Sequence, residues 1–273
     1  MSSPFKGPVF TVENAPGLIL ATGNTGAFLS ESELDTNTYL SLDAGMSWEM
    51  IAKGSHIYQI GDRGGLLVMA EDSKPTKEIK FSWDLGKRWE TMQISEDPIV
   101  VTNILTEPSS KGLVFFVYGV TQYEGIYGFV VPINFSGLLP RICKNTGKAD
   151  SDYLEWSPHN AKSECIMGEK LIYLRRKHTS ECFNPHRLKV ARREKICECT
   201  REDWECDIQF SLNQKTQKCQ RSDGRVINTS PPEDCKAYYR VNIGYRKVSG
   251  NVCQGGLDLS PRKYTCPGKG IQR

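Results

Sequence analysis

Two aspartates of this 273-residue chain lie in copies of one short motif and could act as catalytic or metal-binding carboxylates. The motif reads Ser-Leu-Asp-Ala-Gly-Met-Ser-Trp over residues 41–48 and Ser-Trp-Asp-Leu-Gly-Lys-Arg-Trp over residues 82–89. A carboxylate can also accept backbone N–H groups of its own turn, a glycine can adopt positive φ, and a tryptophan ring can pack on a sheet. The residue types therefore favour a structural turn. Its residues are Ser41, Asp43, Gly45, Ser47 and Trp48 in the first copy and Ser82, Asp84, Gly86 and Trp89 in the second.

A second group that could do chemistry is Tyr58, Asp62 and Arg63, within the run Ile-Tyr-Gln-Ile-Gly-Asp-Arg-Gly-Gly. Sialidase-type glycosidases cleave sugars with a tyrosine nucleophile, an acid carboxylate and several arginines. One arginine does not make such a cluster, and an Asp-Arg pair beside two glycines is typical of a turn. We therefore expect no catalytic site and no cofactor.

A zinc site could be imagined at Cys197 and Cys199 with His178 or His186. Zinc sites of this kind usually repeat a ligand pair separated by two to four residues, and these cysteines are separated by only one. We therefore expect no metal ion.

The histidines could act as pH sensors, because the unperturbed pKa of imidazole lies within the range that secretory compartments span. His56 precedes a predicted strand, and His178 and His186 lie among basic residues. These three are candidates for a pH-dependent switch. The alternative is that all four histidines, including His159, are solvated bystanders.

The elements that would position these groups in the first half are short strands. Runs rich in Val, Ile, Tyr and Phe alternate with Gly, Asp, Ser and Pro, and no helical periodicity competes. Such runs lie at 17–21, 64–69, 78–81 and 113–118. Asp43 and Asp84 are 41 residues apart, about the length of one four-stranded propeller blade. The pattern predicts a partial β-propeller of about three blades over residues 1–140, whose third blade lacks the motif.

The second half is defined by its ten cysteines, which all lie between Cys143 and Cys266. An even number in such a segment indicates disulfides, which persist in the secretory pathway or outside the cell. Ten cysteines allow about nine hundred complete pairings, so spacing alone leaves the connectivity open. Because this segment has few apolar residues, cross-links must stabilise it. We predict an irregular, disulfide-rich module over residues 141–273.

Glycosylation sequons and charge add to this division. Asn134-Phe-Ser and Asn228-Thr-Ser are acceptor sequons and agree with a luminal chain.

The two halves of the chain also differ in charge: residues 1–140 carry 9 Lys and Arg against 16 Asp and Glu, whereas residues 141–273 carry 26 against 16. Basic runs at 175–178 and 187–195 could bind sulfated glycans or an acidic partner, or could form a solvated face or one that docks on the acidic half. Nucleic acid is not expected in this compartment.

No apolar run reaches the length of a signal peptide or a membrane span, so we expect a fragment of a longer protein.

These motifs resemble those of one family. The pattern Ser-x-Asp-x-Gly-x-Ser/Thr-Trp is similar to the Asp-box of sialidases, related glycosidases and sortilin-family receptors, and the second copy departs from it at Arg88. The cysteine run at 197–207, Glu-Trp-Ser-Pro at 155–158 and the run at 244–256 closely resemble the ten-cysteine module of sortilin-family (vacuolar-protein-sorting) receptors. Residues 10–23 and 61–65 look most like the branch of the family that also carries LDL-receptor-type repeats.

The resemblance implies an all-β fold: the last blades of a ten-bladed β-propeller with Asp-box turns, followed by the ten-cysteine module. It implies five structural disulfides, Cys143–Cys182, Cys165–Cys197, Cys199–Cys253, Cys206–Cys219 and Cys235–Cys266. It also implies the ligand-binding luminal or extracellular part of a type I membrane receptor that binds protein or peptide cargo in the propeller tunnel and carries it between Golgi, endosomes and cell surface. The alternatives are a fragment of an Asp-box glycoside hydrolase and a secreted adhesion protein.

Overall fold

The computed structural model describes residues 9–267, except 31, 33, 73, 122–126, 146, 159–162 and 185–190. The regular secondary structure of the described chain consists almost entirely of short β-strands, as the sequence predicts. The strands are β1 (Ile19–Gly23), β2 (Asn37–Ser41), β3 (Glu49–Lys53), β4 (His56–Gly61), β5 (Leu66–Glu71), β6 (Pro75–Thr76), β7 (Glu78–Ser82), β8 (Glu90–Gln93), β9 (Ile99–Leu105), β10 (Val114–Thr121), β11 (Tyr127–Asn134), β12 (Tyr153–Trp156), β13 (Glu169–Arg176), β14 (Ala191–Ile196), β15 (Trp204–Cys206), β16 (Phe210–Asn213), β17 (Lys218–Arg221), β18 (Tyr238–Val241), β19 (Tyr245–Lys247) and β20 (Arg262–Thr265). Single 3-10 turns lie at Asp62–Gly64 and Arg201–Asp203.

The chain divides into two compact units. The first comprises residues 1–158 and 172–192, and the second comprises residues 159–171 and 193–273. The first unit thus extends beyond residue 140, where the sequence places the end of the propeller. The domain limits at 140 and 141 stay a prediction.

Three antiparallel sheets build most of the first unit. Their strand orders are β1-β2-β3, β4-β5-β7-β8 and β11-β10-β9-β6. The two Asp-box motifs occupy equivalent places, between β2 and β3 and between β7 and β8, which are consecutive strands of one sheet in each case. The motif therefore recurs at the same place in two successive sheets, as expected for successive blades of a propeller. Strands β9, β10 and β11 of the third sheet come from the segment that contains no motif.

The cores of the first unit lie between neighbouring sheets. One cluster combines Leu18, Leu20 and Leu40 with Tyr58, Ile60, Leu67 and Met69. The other combines Leu66, Val68, Ile79 and Phe81 with Val101, Phe115 and Val117. Successive residues of β5 alternate between the two clusters, so this strand is buried on both faces. That double burial explains why β5 reads as an unbroken apolar run and not as an alternating one.

The second unit is made of short antiparallel strand pairs, β15-β19, β16-β17 and β18-β20. Besides cysteines, its described buried apolar side chains are few, chiefly Trp204 and Val241. Four disulfides, with sequence separations of 32, 54, 13 and 31, connect its segments. Cross-links therefore replace most of the apolar core here. Within the residues that the structure describes, no helix is long and apolar enough to span a membrane.

Candidate functional site

The first Asp-box carboxylate is engaged by its own turn. Asp43 accepts the Ser47 N–H at 2.8 Å on one oxygen and the Ser47 hydroxyl at 2.5 Å on the other. The Ser41 hydroxyl accepts the N–H of Gly45, which has a φ of 91°, and the Trp48 indole donates to the Gly45 carbonyl. Burial opposes the ionisation of Asp43, but the hydrogen bonds from Ser47 outweigh it and lower the pKa.

The second Asp-box reproduces this arrangement with a different residue. Arg88 stands where the pattern has Ser or Thr, and its N–H and Nε donate to the two oxygens of Asp84 at 2.9 and 2.8 Å. The guanidinium also lies over the Trp83 ring, 5.3 Å from its centroid. Burial again opposes ionisation, and the bonds from Arg88 outweigh it, so the pKa of Asp84 is lowered. Both Asp-box carboxylates are thus occupied by turn contacts, as the structural interpretation expects.

The Tyr58, Asp62 and Arg63 group is buried and forms structural contacts. Tyr58 packs in the core between the first two sheets, 6.1 Å from the Phe10 ring. Asp62 and Arg63 follow β4 with φ values of 45° and 52°. One Asp62 oxygen accepts the Asn184 N–H at 2.6 Å, and Arg63 donates to the Asn14 side chain. Burial raises the pKa of Asp62 to about 6, although the Asn184 N–H and the guanidinium of Arg176 oppose the rise.

Arg175 and Arg176, predicted to belong to a basic surface run, are largely buried in the first unit. Arg176 donates to the carbonyls of Gly65, Trp83 and Cys182, and its Nη1 lies 3.5 Å from an Asp62 oxygen. Arg175 donates to the Leu42 carbonyl at 2.7 Å and lies over the Trp156 ring. The terminal nitrogens of Arg176 are thus engaged by carbonyls within the first unit, and one terminal nitrogen of half-buried Arg175 is engaged in the same way.

The rest of the predicted basic surface is partly described. His178 is exposed, and Lys177 donates to the Ala149 carbonyl. Residues 187–190 of the second run lie outside the described residues. Arg192 and Arg193 are exposed and pair with Glu155 and Glu169.

A cleft of about 480 Å³ lies between strands of neighbouring sheets in the first unit. Its walls are Phe10, His56, Ile57, Tyr58, Gln59, Asp72, Thr102, Asn103, Ile104 and Leu105. Gln59 links the two walls, since its amide donates to the Ile104 carbonyl. Apolar surface with a few amide and hydroxyl groups is typical of ligand clefts. The sequence singled out only His56 and Tyr58 of these residues and left the ligand contacts unknown, because no local motif marks them.

His56 is the switch candidate that lines this cleft among the residues that the structure describes, and it is almost fully buried. Its Nδ1 lies 2.9 Å from the Thr38 hydroxyl and 3.2 Å from the Gly54 carbonyl. Because a carbonyl only accepts, Nδ1 carries the proton, and Nε2 has no partner among the described residues. Burial lowers the pKa of His56. His159 and His186 lie outside the described residues.

Five disulfides join the ten cysteines in the pairs that the resemblance implies. The bonds are Cys143–Cys182, Cys165–Cys197, Cys199–Cys253, Cys206–Cys219 and Cys235–Cys266. Cys197 and Cys199 therefore offer no thiolate to zinc. Asp152 lies beside the Cys143–Cys182 bond, but the two terminal guanidinium nitrogens of Arg141 donate to the two oxygens of this carboxylate, at 2.6 and 2.8 Å. The ten cysteines are thus all engaged in disulfides, and these bonds cross-link the chain.

Comparison with known proteins identifies the family. The model described as "Sortilin, neurotensin receptor 3, C-terminal" matches residues 106–266, and the model described as "Sortilin, neurotensin receptor 3" matches residues 2–104. The sortilin-related receptor of Homo sapiens is 35% identical over 257 residues, which cover 91% of this chain and 11% of that protein. The vacuolar protein sorting/targeting protein 10 of Neurospora crassa is 37% identical, covering 88% and 16%. The VPS10 domain-containing receptor SorCS2 of Homo sapiens is 33% identical, covering 96% and 23%. The chain spans less than a quarter of the length of each of these relatives, and the resemblance found in the sequence is confirmed: the chain belongs to the sortilin (Vps10) family.

Proposed function

We propose that this chain is part of the ligand-binding region of a sorting receptor and that it has no catalytic role. The observation that carries the proposal is a contrast within the first unit. The carboxylates of both Asp-boxes are engaged in structural contacts, whereas the 480 Å³ cleft presents groups suited to binding. The names of the relatives, a sortilin-related receptor and a vacuolar sorting protein, support the same function.

The ligand that suits the cleft is a peptide or an extended segment of a cargo protein. Phe10 and Leu105 offer apolar surface for side chains, and Thr102 and Asn103 offer hydroxyl and amide groups for a peptide backbone. The family resemblance places cargo in the propeller tunnel, and we propose that this cleft lies on the tunnel side. Disulfides persist in the secretory lumen and outside the cell, so we propose that this chain lies in one of these compartments. We also propose that the parent protein is anchored in Golgi, endosomal or plasma membranes by segments outside this sequence.

The test is to select peptides that bind the immobilised chain and to measure their affinity for two threonine variants. Thr102→Arg places a long charged side chain at the cleft and should weaken binding by about tenfold or more. Thr91→Arg makes the same change on β8, away from the cleft, and should leave affinity unchanged. Equal affinity for both variants would exclude this cleft. Turnover of an aryl sialoside by the wild-type chain would instead favour the glycoside hydrolase alternative.

Cargo release in acidic compartments is part of the proposal. His56 lines the cleft, and its protonation would place a positive charge there without a partner at Nε2. Because burial lowers the pKa of His56, we expect the affinity of a selected peptide to fall mainly at the acidic end of the range from about pH 7 to pH 5.5, and to fall less in His56→Gln. His178→Gln and His186→Gln test the two other candidates. An affinity that does not depend on pH would end this part of the proposal.

Sulfated glycans are proposed as a second, weaker ligand class for the second unit. Arg193 and Lys195 are exposed there, but Arg193 already pairs with Glu169. The measurement is the salt concentration at which the chain elutes from immobilised heparin. If this concentration is the same for the wild type, Arg193→Ala and Lys195→Ala, these two residues do not bind the glycan.

A further inference from the structure

A groove of about 580 Å³ in the second unit has one of the two glycosylation sequons in its wall. The groove lies between the start of β16, the segment 227–232 and strand β18. Asn228, the acceptor residue of the sequon, lines it. The wall also includes apolar Ile208, Phe210 and Pro231 and polar Tyr239 and Arg240.

The sequon is held against this groove by its own hydrogen bonds. The Tyr239 hydroxyl donates to the Thr229 carbonyl at 2.8 Å, which ties the middle residue of the sequon to β18. The Asn228 side-chain oxygen accepts the Ser230 N–H at 2.9 Å. Its amide nitrogen, the atom that carries an N-glycan, donates to no residue that the structure describes. A glycan on Asn228 would therefore begin at the groove wall, from an atom that is free to carry it.

The surface of the groove has the chemistry that binds a sugar ring. Ile208 is 73% exposed, Pro231 is exposed and the Phe210 ring is half-buried, so apolar and aromatic surface is open to a ligand. The C–H faces of a pyranose pack on such surface, and its hydroxyl and acetamido groups take hydrogen bonds. Arg240 is exposed and has no carboxylate partner in the described part of the chain, so its donors are available to sugar oxygens.

A tethered sugar can occupy this groove even if its contacts are weak. Covalent attachment at the wall gives the first sugars an effective concentration of about millimolar or more, so binding costs little entropy. The second unit also gains from a cover, because the apolar side chains that it buries besides cysteines are few. Removing exposed Ile208 from water would add to its stability in proportion to the area covered.

We propose that the N-glycan on Asn228 folds back onto the second unit and that its first N-acetylglucosamine rings occupy this groove. The rings cover Ile208 and Phe210, and the outer sugars extend into solvent from the open side. The inference rests on the luminal compartment proposed above and is independent of cargo binding in the cleft of the first unit. Asn134 lies in the first unit and is not part of this wall, so its glycan serves as the comparison.

The test uses the whole chain from a secretory host, with occupancy of both sequons measured by peptide mapping. Ser230→Ala removes the glycan from Asn228 and should lower the midpoint of thermal unfolding by about 3 to 6 °C. It should also speed hydrogen exchange of the backbone amides of residues 207–213 by about fivefold or more. Ser230→Thr keeps the sequon and should match the wild type in both measurements. Ser136→Ala removes the glycan from Asn134 and should leave exchange of residues 207–213 unchanged.

A second pair of variants tests whether the contact lies in the groove. Ile208→Ser removes apolar surface from the wall, so losing the Asn228 glycan should then lower the midpoint by about half as much as in the wild type, or less. Val226 is 92% exposed and is not part of the wall, so Val226→Ser should leave the full effect of glycan loss.

Three results would overturn the proposal. A glycan on Asn134 with none on Asn228 would show that the groove lacks this occupant, and bare asparagines at both sites would count against the luminal compartment as well. Equal midpoints and equal exchange in the wild type and Ser230→Ala would show that the glycan points into solvent. An effect of glycan loss that is as large in Ile208→Ser as in the wild type would place the contact outside this groove.

Discussion

Arg88 shows how a single side chain can depart from a motif and keep its geometry. A serine at this position would offer an N–H and a hydroxyl to the aspartate, and Arg88 offers an N–H and Nε. Most of the arginine side chain is exposed, so its ion pair with Asp84 adds little. What the turn requires is two donors at the right distance from one buried carboxylate.

We therefore expect Arg88→Ser to leave the urea midpoint of unfolding nearly unchanged. Asp84→Ala should destabilise the first unit by about 2 kcal/mol, because it leaves the Ser82 hydroxyl and the Arg88 N–H without their acceptor. Lys87→Ala, at an exposed neighbouring position, is the control for changes in surface charge. A larger loss in Arg88→Ser than in Asp84→Ala would contradict this account.

The Asp-box turns could be predicted because every contact that defines them lies within eight consecutive residues. Arg175 and Arg176 could not, because the carbonyls of Leu42, Gly65 and Trp83 that bind them are 133, 111 and 93 positions away in the chain. A run of basic residues is usually solvated, and only tertiary contacts reveal that these two are internal. The cleft beside His56 is missed for the same reason, since its walls come from separate strands.

The buried side chains of His56 and Asp62 make the free energy of unfolding depend on pH in opposite directions. The lowered pKa of His56 means that the unfolded chain binds its proton more readily, so stability falls as the pH drops below about 6.5. The raised pKa of Asp62, about 6, means that its contribution is present at low pH and is lost as the pH rises through that value. The charged groups that act on His56 are Lys80, Glu71 and Asp72.

We expect His56→Gln to remove part of the stability loss between about pH 7 and pH 5, because it removes the group that must be protonated while buried. The measurement is the thermal midpoint across that range, and His178→Gln is the matched control, since His178 is exposed. If the midpoint of His56→Gln falls with pH as steeply as that of the wild type, His56 does not contribute to the acid sensitivity.

At the scale of elements, the strands and the disulfide-rich segment follow from sequence, but the placement of β12 and β13 does not. These two strands pair in register, with Tyr153 opposite Arg176 and Trp156 opposite Tyr173. They lie in the part of the chain that the cysteine pattern assigns to the second domain, yet β12 and residues 172–176 of β13 belong to the first unit. The cysteine spacing reports the cross-links and carries no information on which sheet a strand joins.

We expect mass mapping of a non-reduced digest to return the five disulfides of the structure. By the chain-entropy model, replacing Cys199 and Cys253 by serine should cost about 4 kcal/mol, because the bond closes a loop with a sequence separation of 54. Replacing Cys206 and Cys219 should cost about 3 kcal/mol, since their separation is 13. A Cys197–Cys199 bond, or free thiols at several positions, would refute the connectivity.

The loops that carry the two sequons are open to modification. Asn134 ends β11 and is exposed, and its side-chain oxygen accepts the Ser136 N–H at 2.9 Å. Asn228 is also exposed. We expect two N-glycans after secretory expression, with one removed by Ser136→Ala and one by Ser230→Ala, measured by gel mobility before and after glycosidase treatment. Ser222→Ala, outside any sequon, should change nothing, and a single glycan in the wild type would exclude one of the two sites.

At the scale of the whole molecule, the third sheet presents an apolar face. The strand register places Leu105, Phe116 and Pro132 side by side across three strands. Phe116 is 44% exposed and Val130, on the outer strand, is 64% exposed. In the first unit the corresponding faces between neighbouring sheets are buried in apolar clusters. A further apolar sheet packed against this face would bury it in the same way.

We expect residues 1–140, expressed alone, to aggregate. This segment keeps the apolar face around Phe116 and loses Arg176, so the buried carboxylate of Asp62 loses its ion-pair partner and the carbonyls of Gly65 and Trp83 lose their donor. Size-exclusion chromatography with light scattering should show large species for residues 1–140, and a smaller fraction of them for the whole chain in the same buffer. Phe116→Ser in the segment should reduce association without restoring a cooperative melt, because the ion pair is still missing. A monomeric product of residues 1–140 that melts cooperatively would show that the propeller sheets need neither Arg176 nor a cover for this face.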